Sequence, residues 1–153
     1  MAVVSKGLPA GRQGFTLLEL LVVISIIGIL MAIGSVSFST AQKKGRDSRR
    51  MGDMKAIQKS LEECYALDNK YPQTVSSDSS LECEGGTVTM NLVSDDPKPD
   101  EDYTYTVDAN PATIYCLCAE LENTGAGNAS DVGSGGSCSY AADDDYFCVS
   151  NQQ

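Results

Sequence analysis

From Phe15 to Phe38 the chain reads FTLLELLVVISIIGILMAIGSVSF, 24 positions with one ionisable side chain, Glu19. Coiled as a helix, such a run is about 36 Å long, enough to cross a bilayer with some tilt. From Thr40 to about Asn69 the apolar positions thin to a stripe. Met54, Ile57, Leu61, Cys64 and Tyr65 recur at steps of three and four, and Lys55, Gln58, Lys59 and Glu62 fall largely between them. That spacing predicts that the helix continues in amphipathic form and packs its stripe on a sheet. Asn69 and Pro72 supply the stop. One helix from Phe15 to about Asn69 would reach about 80 Å. Gly28, Gly34 and Gly45 interrupt it, and Gly34-Ser35 is its softest point.

Past Pro72 the period changes. TVSSDSS and CEGG read as loops. Val88, Met90 and Leu92 alternate within Thr87–Val93, and Tyr103, Tyr105 and Val107 alternate within the next run, so both segments are expected as strands. The clearest strand is ATIYCLCAEL, residues 112–121. Tyr115, Leu117, Ala119 and Leu121 take one face, and Ile114, Cys116 and Cys118 take the other. NTGAGNASDVGSGGS reads as a long flexible loop, and Tyr146 to Ser150 as a short last strand. The expected fold is α+β: a long N-terminal helix, half membrane-spanning and half amphipathic, on a small antiparallel sheet.

Charge narrows the function. Among 153 residues there are 11 Lys plus Arg and 21 Asp plus Glu, a net charge of -10. The acidity lies mostly beyond residue 60 and no basic groove is evident, so no direct nucleic-acid partner is expected. Histidine is absent, which removes Ser-His-Asp and Cys-His catalysis and HExxH zinc chemistry. No nucleophile has a matched base, so no enzyme is expected.

The six cysteines, Cys64, Cys83, Cys116, Cys118, Cys138 and Cys148, all follow the apolar run. An even count in a Gly/Ser-rich region favours disulfides outside the cytoplasm over a metal cluster, because Cys116-Leu117-Cys118 is the only close pair. Cys64 with Cys83 would tie the helix end to the first loop. Cys116 and Cys118 share a strand face, so each should bridge to another segment, with Cys138 and Cys148 as partners in an order the sequence leaves open.

Glu19 remains unexplained by a plain anchor or by a secretory signal cut near Ser39-Thr40-Ala41. A carboxylate in a lipid-facing helix costs up to about 2.5–3.5 kcal/mol at mid-membrane, so it implies a partner. No Lys, Arg or His lies within the run. If the Gly14–Phe15 bond is cut, Phe15 gains an ammonium group, with Glu19 four residues on along the same helix face. That cation belongs either to this chain or to the next copy in an assembly.

Gly14-Phe15-Thr16-Leu17-Leu18-Glu19, preceded by Lys6 and Arg12 and followed by the apolar helix, resembles the N-terminal motif of the type IV pilin and pseudopilin family. The resemblance implies that a prepilin peptidase removes residues 1–14 and that Phe15 is the methylated terminus. It gives Glu19 a role in assembly. It also implies an assembly helix over 15–38, an amphipathic helix over 39–71 and a disulfide-bonded β-rich head over 72–153. The segment KGRDSRRMGDMKAIQKSLEECYALDNKYP, Lys44 to Pro72, looks more loosely like the major pseudopilin branch. Pilins commonly carry a proline midway along the apolar helix, and this chain has none there.

The expected function is a structural subunit of a type IV pilus-like filament. It would sit as a single span in the inner membrane with lipid around it, meet an inner-membrane assembly platform, and then polymerise with copies of itself into an extracytoplasmic or cell-surface filament. A pseudopilin of a type II secretion or DNA-uptake system is the alternative within the class. A membrane-anchored extracytoplasmic binding domain is the alternative outside it. Positive-inside counting opposes this orientation, since Lys6 and Arg12 precede the span while Lys43, Lys44, Arg46, Arg49 and Arg50 follow it. The cysteines and the leader motif outweigh that count.

Two acidic clusters, Asp95, Asp96, Asp100, Glu101 and Asp102, and Asp143, Asp144 and Asp145, read as solvated surface. Neither has EF-hand spacing. No cofactor is expected. The resemblance raises calcium in a loop of the head without fixing ligands, and Asp96, Asp100 and Asp102 are the candidates. Asn128-Ala129-Ser130 fits a glycosylation sequon and, being short and common, carries little weight.

Overall fold

A computed structural model describes residues 14–99, 101–108 and 112–152. Most of the leader, with Lys6 and Arg12, and the calcium candidate Asp100 lie outside the described residues. The chain divides into two compact units, Met1–Ser39 and Thr40–Gln153.

Helix α1 covers Leu17–Asp68. Within the first unit its apolar side chains are uncovered on every side: Leu17, Leu18, Leu20, Ile24, Ile29, Met31 and Ile33 are all exposed. No residue of this most apolar stretch is buried, and the stretch has the length and composition to cross a membrane. Ser25, Ser35 and Ser37 return their hydroxyls to carbonyls four residues back, which satisfies them without water.

In the second unit the stripe predicted from periodicity is the core. Met54, Ile57, Leu61 and Cys64 are fully buried, with Tyr65 packed against them. Each such side chain contributes about 1.5–3 kcal/mol by burial. The helix ends at Asn69, whose φ of 57° is left-handed and whose N–H donates to the Tyr65 carbonyl.

The strands are β1 (Leu81–Glu82), β2 (Val88–Met90), β3 (Thr104–Val107), β4 (Tyr115–Glu120), β5 (Ala129–Ser134), β6 (Ser137–Tyr140) and β7 (Tyr146–Ser150). β1 and β2 form a two-stranded ribbon; the other five form an antiparallel sheet in the order β3-β4-β7-β5-β6. β4 alternates as expected. Tyr115, Leu117 and Ala119 enter the main core with Val149 of β7, and Cys116 and Cys118 enter a second, smaller cluster with Ala129 and Cys148.

Three expectations need correction. Thr87–Val93 is strand only over Val88–Met90, and Val88 and Leu92 are exposed while Val93 is buried, so the expected apolar face is not a buried one. β1 was not anticipated. The segment read as a flexible loop is largely the β5–β6 hairpin. Its glycines permit close backbone approach: a Cβ at Gly127 would collide with the Tyr146 carbonyl, and one at Gly136 (φ 80°) with the Ile114 carbonyl. Glycine here marks tight packing as well as turning.

Candidate assembly site

Gly14, Phe15 and Thr16 precede the helix in non-helical backbone, and all three are exposed. The Gly14–Phe15 junction is therefore open, and a Cβ at Gly14 would meet nothing. Thr16 is the N-cap. Its hydroxyl accepts from the Glu19 N–H at 3.2 Å, and the Glu19 carboxylate accepts from the Thr16 N–H and hydroxyl at 2.9 Å each. This reciprocal pair is a capping box. In the isolated chain Glu19 is thus held by neutral donors at the positive end of a helix. The T-x-x-E spacing of Thr16 and Glu19 is the sequence signal for this cap.

The basic stretch after the span behaves differently from a plain flanking cluster. Arg50 is 0% exposed and Asp47 2%. Arg50 donates twice to Asp96, both bonds at 2.7 Å, and also to Asp47 at 3.0 Å, Glu101 at 3.0 Å and Glu122 at 3.4 Å. Arg46 forks onto Glu122, and Lys98 pairs with Glu101. Arg49 reaches Asp53. Asp47 accepts from the backbone N–H groups of Glu122 and Asn123 and from the Asn123 amide. The Arg46 fork holds the Glu122 carboxyl down at about 2 against burial. Burial pushes Asp47 up, but its donors from Glu122, Asn123 and Arg50 outweigh that and keep it below the ordinary range. Of the five positive charges counted after the span, Arg46 and Arg50 are matched by carboxylates of the head, and Arg49 by Asp53 one turn on along α1.

This network also takes in Asp96, one of the calcium candidates. Both Asp96 oxygens are taken by Arg50, and Asp96 is 9% exposed. Asp102 accepts a long bond from Ser77. The first acidic loop is therefore partly a structural clamp and not wholly solvated surface. In the second, Asp145 accepts from Gly125 N–H and Asp144 from Asp145 N–H. Asn128 of the sequon bonds the Cys148 carbonyl through its amide N–H and accepts the Cys148 N–H, so that side chain is committed to the sheet.

Cys64 is bonded to Cys83, Cys116 to Cys138, and Cys118 to Cys148. The first joins the end of α1 to the end of β1. The other two fasten β4 to β6 and β7. Cys118 and Cys148 face each other across the β4–β7 ladder with Cα atoms 4.1 Å apart.

Residues 9–35 match the model of the prokaryotic N-terminal methylation motif. The chain is 34% identical to fimbrial protein Q of Moraxella bovis over 89 residues, covering 54% of this chain and 56% of that one. It is 29% identical to type II secretion system core protein G of Vibrio cholerae over 137 residues, covering 80% and 90%. The chain is thus similar to type IV pilins and pseudopilins, and its start carries their N-terminal methylation motif. This chain spans about half the length of the fimbrial relatives it matches. No solved structure gives a significant match. Pilins and pseudopilins are structural proteins and not enzymes, and this chain's motif and apolar helix suit anchoring in a membrane.

Proposed function

We propose that this chain is a filament subunit of the pilin family, cut between Gly14 and Phe15 by a prepilin peptidase, methylated at Phe15 and polymerised through α1. The observation that carries this is the first stretch of α1: an apolar surface uncovered all round, with one carboxylate near its start. Nothing in the chain itself covers that surface among the described residues. Lipid covers it before assembly, and sister helices cover it after. Exchange of lipid for helix gains little from hydrophobicity, so close packing and polar contacts must supply the cohesion. Glu19 is such a contact. Its capping bonds leave lone pairs free, and the Phe15 ammonium of a docking neighbour would add the charge that Thr16 cannot.

Before assembly the subunit is a single span of the inner membrane with its disulfide-bonded head outside, and it meets an assembly platform there. The match to the Vibrio cholerae core protein G over 90% of that protein favours a secretion pseudopilus as the second reading; the Moraxella match favours a surface fimbria.

The test has two parts. The mature N-terminal peptide should begin at Phe15 with one added methyl. Glu19→Ala should leave membrane insertion intact and abolish filaments. Retention of Met1, or a start at Gln42, defeats the processing step; filaments of normal number from Glu19→Ala defeat the assembly role and favour a simple anchored domain.

A further inference from the structure

Four sulfurs meet in the smaller core. Cys116 and Cys118 project from one face of β4, Cys138 comes from β6 and Cys148 from β7, and all four Sγ atoms lie within 4.8 Å of one another. Cys116 and Cys118, which are not bonded to each other, bring their sulfurs to 3.4 Å. Three of the four residues are buried and Cys138 is half-buried. Apart from the sulfurs, this core holds only Ala129, with Val132 and Tyr146 packed against it. So little apolar surface cannot hold the β5–β6 hairpin against β4 without a cross-link.

The geometry points to a second use of these sulfurs: in the reduced chain Cys116, Cys118, Cys138 and Cys148 form a closed, structural tetrathiolate site for a soft divalent metal, zinc above all. Zinc takes four thiolates tetrahedrally at about 2.3 Å, which places sulfurs about 3.8 Å apart. The non-bonded sulfurs already lie near that spacing. The bonded pairs reach it once each disulfide opens. Opening both disulfides takes four electrons from a thiol or phosphine reductant and four protons, which the thiol or, with a phosphine, water supplies, and yields four thiols. Metal binding then forms four metal–sulfur bonds and releases the four thiol protons. The site closes over the ion with no position left for water, so its role is structural and not catalytic. Metal and disulfides are alternative staples for one core, exclusive of each other. Cys64 and Cys83 belong to the other core and take no part.

Cobalt is the probe. The full chain in detergent, reduced with a phosphine under anaerobic conditions, should bind one cobalt with the charge-transfer and visible bands of tetrahedral thiolate coordination, and zinc should bleach them. The oxidised chain should show none. A Cys64→Ser, Cys83→Ser double variant should keep the spectrum, and Cys118→Ser, Cys148→Ser should lose it. Absent bands in the reduced chain, or bands that survive Cys118→Ser, Cys148→Ser, overturn the site. As a readout independent of any variant's folding, zinc should raise the thermal midpoint of the reduced wild-type head; an unchanged midpoint overturns it equally.

Discussion

Helix α1 is built from two kinds of sequence. Up to Ser39 it carries most of the strongly apolar residues of the helix and buries none in the most apolar stretch; beyond Thr40 it carries KKGRDSRR and buries Asp47 and Arg50 completely or nearly so. Hydrophobicity alone therefore does not report what a helix packs against. The first stretch is apolar although no described residue of the chain covers it. The second is polar at its start because the head supplies ionic partners of its own, and apolar farther on where the head supplies a core.

The contrast is broken most severely at Arg50. Arg50→Ala strands Asp96 and Asp47 in a buried site, and it should cost about 3–5 kcal/mol in denaturant unfolding of the full chain in detergent. The companion Arg50→Met, Asp96→Leu variant should recover much of that, since removing both members leaves fewer uncompensated charges. Equal loss from the single and double changes would show that the clamp works by shape and not by charge. Next comes the staple at the helix end. Cys64→Ser with Cys83→Ser opens a loop of 19 residues and should cost about 3 kcal/mol by the same assay.

Acid sharpens the comparison more gently. The carboxyls of Glu122 and Asp47 are depressed on folding, so the stability they contribute is fully present above about pH 4.3, the unfolded carboxylate value. It is lost as pH falls through about 2, where Glu122 titrates in the folded head. An acid titration followed by near-ultraviolet circular dichroism should show a flat signal down to about pH 4.3 and a transition below it; Glu122→Gln should reduce that pH dependence. The smallest effect is expected from Glu19→Ala, which should leave the unfolding midpoint of the head unchanged. A shift there would mean that the start of α1 contributes to the stability of the globular unit.

Much of this organisation was legible, for physical reasons that differ by element. Met54, Ile57, Leu61 and Cys64 announced their burial because only one helical face can satisfy their spacing. Residues 115–119 announced two faces because a pleat alternates. The hairpin over 129–140 was hidden by its composition: Gly133, Gly135 and Gly136 look like slack chain, yet they take positive φ in and around its tight turn. Arg50 was hidden by its neighbours. Among Lys43, Lys44, Arg46 and Arg49 it counts as one more basic residue flanking the span, and only the fold brings Asp96, Glu101 and Glu122 to it from the head. Of the candidate assembly residues, the sequence exposed the oddity of Glu19 but not its bond with Thr16, because a carboxylate in an apolar run directs the eye to missing cations and away from neutral donors.

One further consequence follows from the position of β4. It is hydrogen-bonded to β3 on one edge and β7 on the other, feeds the main core with one face and the sulfur core with the other, and is tied covalently to two strands. Its amides should be the slowest in the head to exchange with deuterium, with rates set by opening of the whole head and not by local fraying. A tug on the head in a filament under tension would accordingly spare β4 until everything around it had let go.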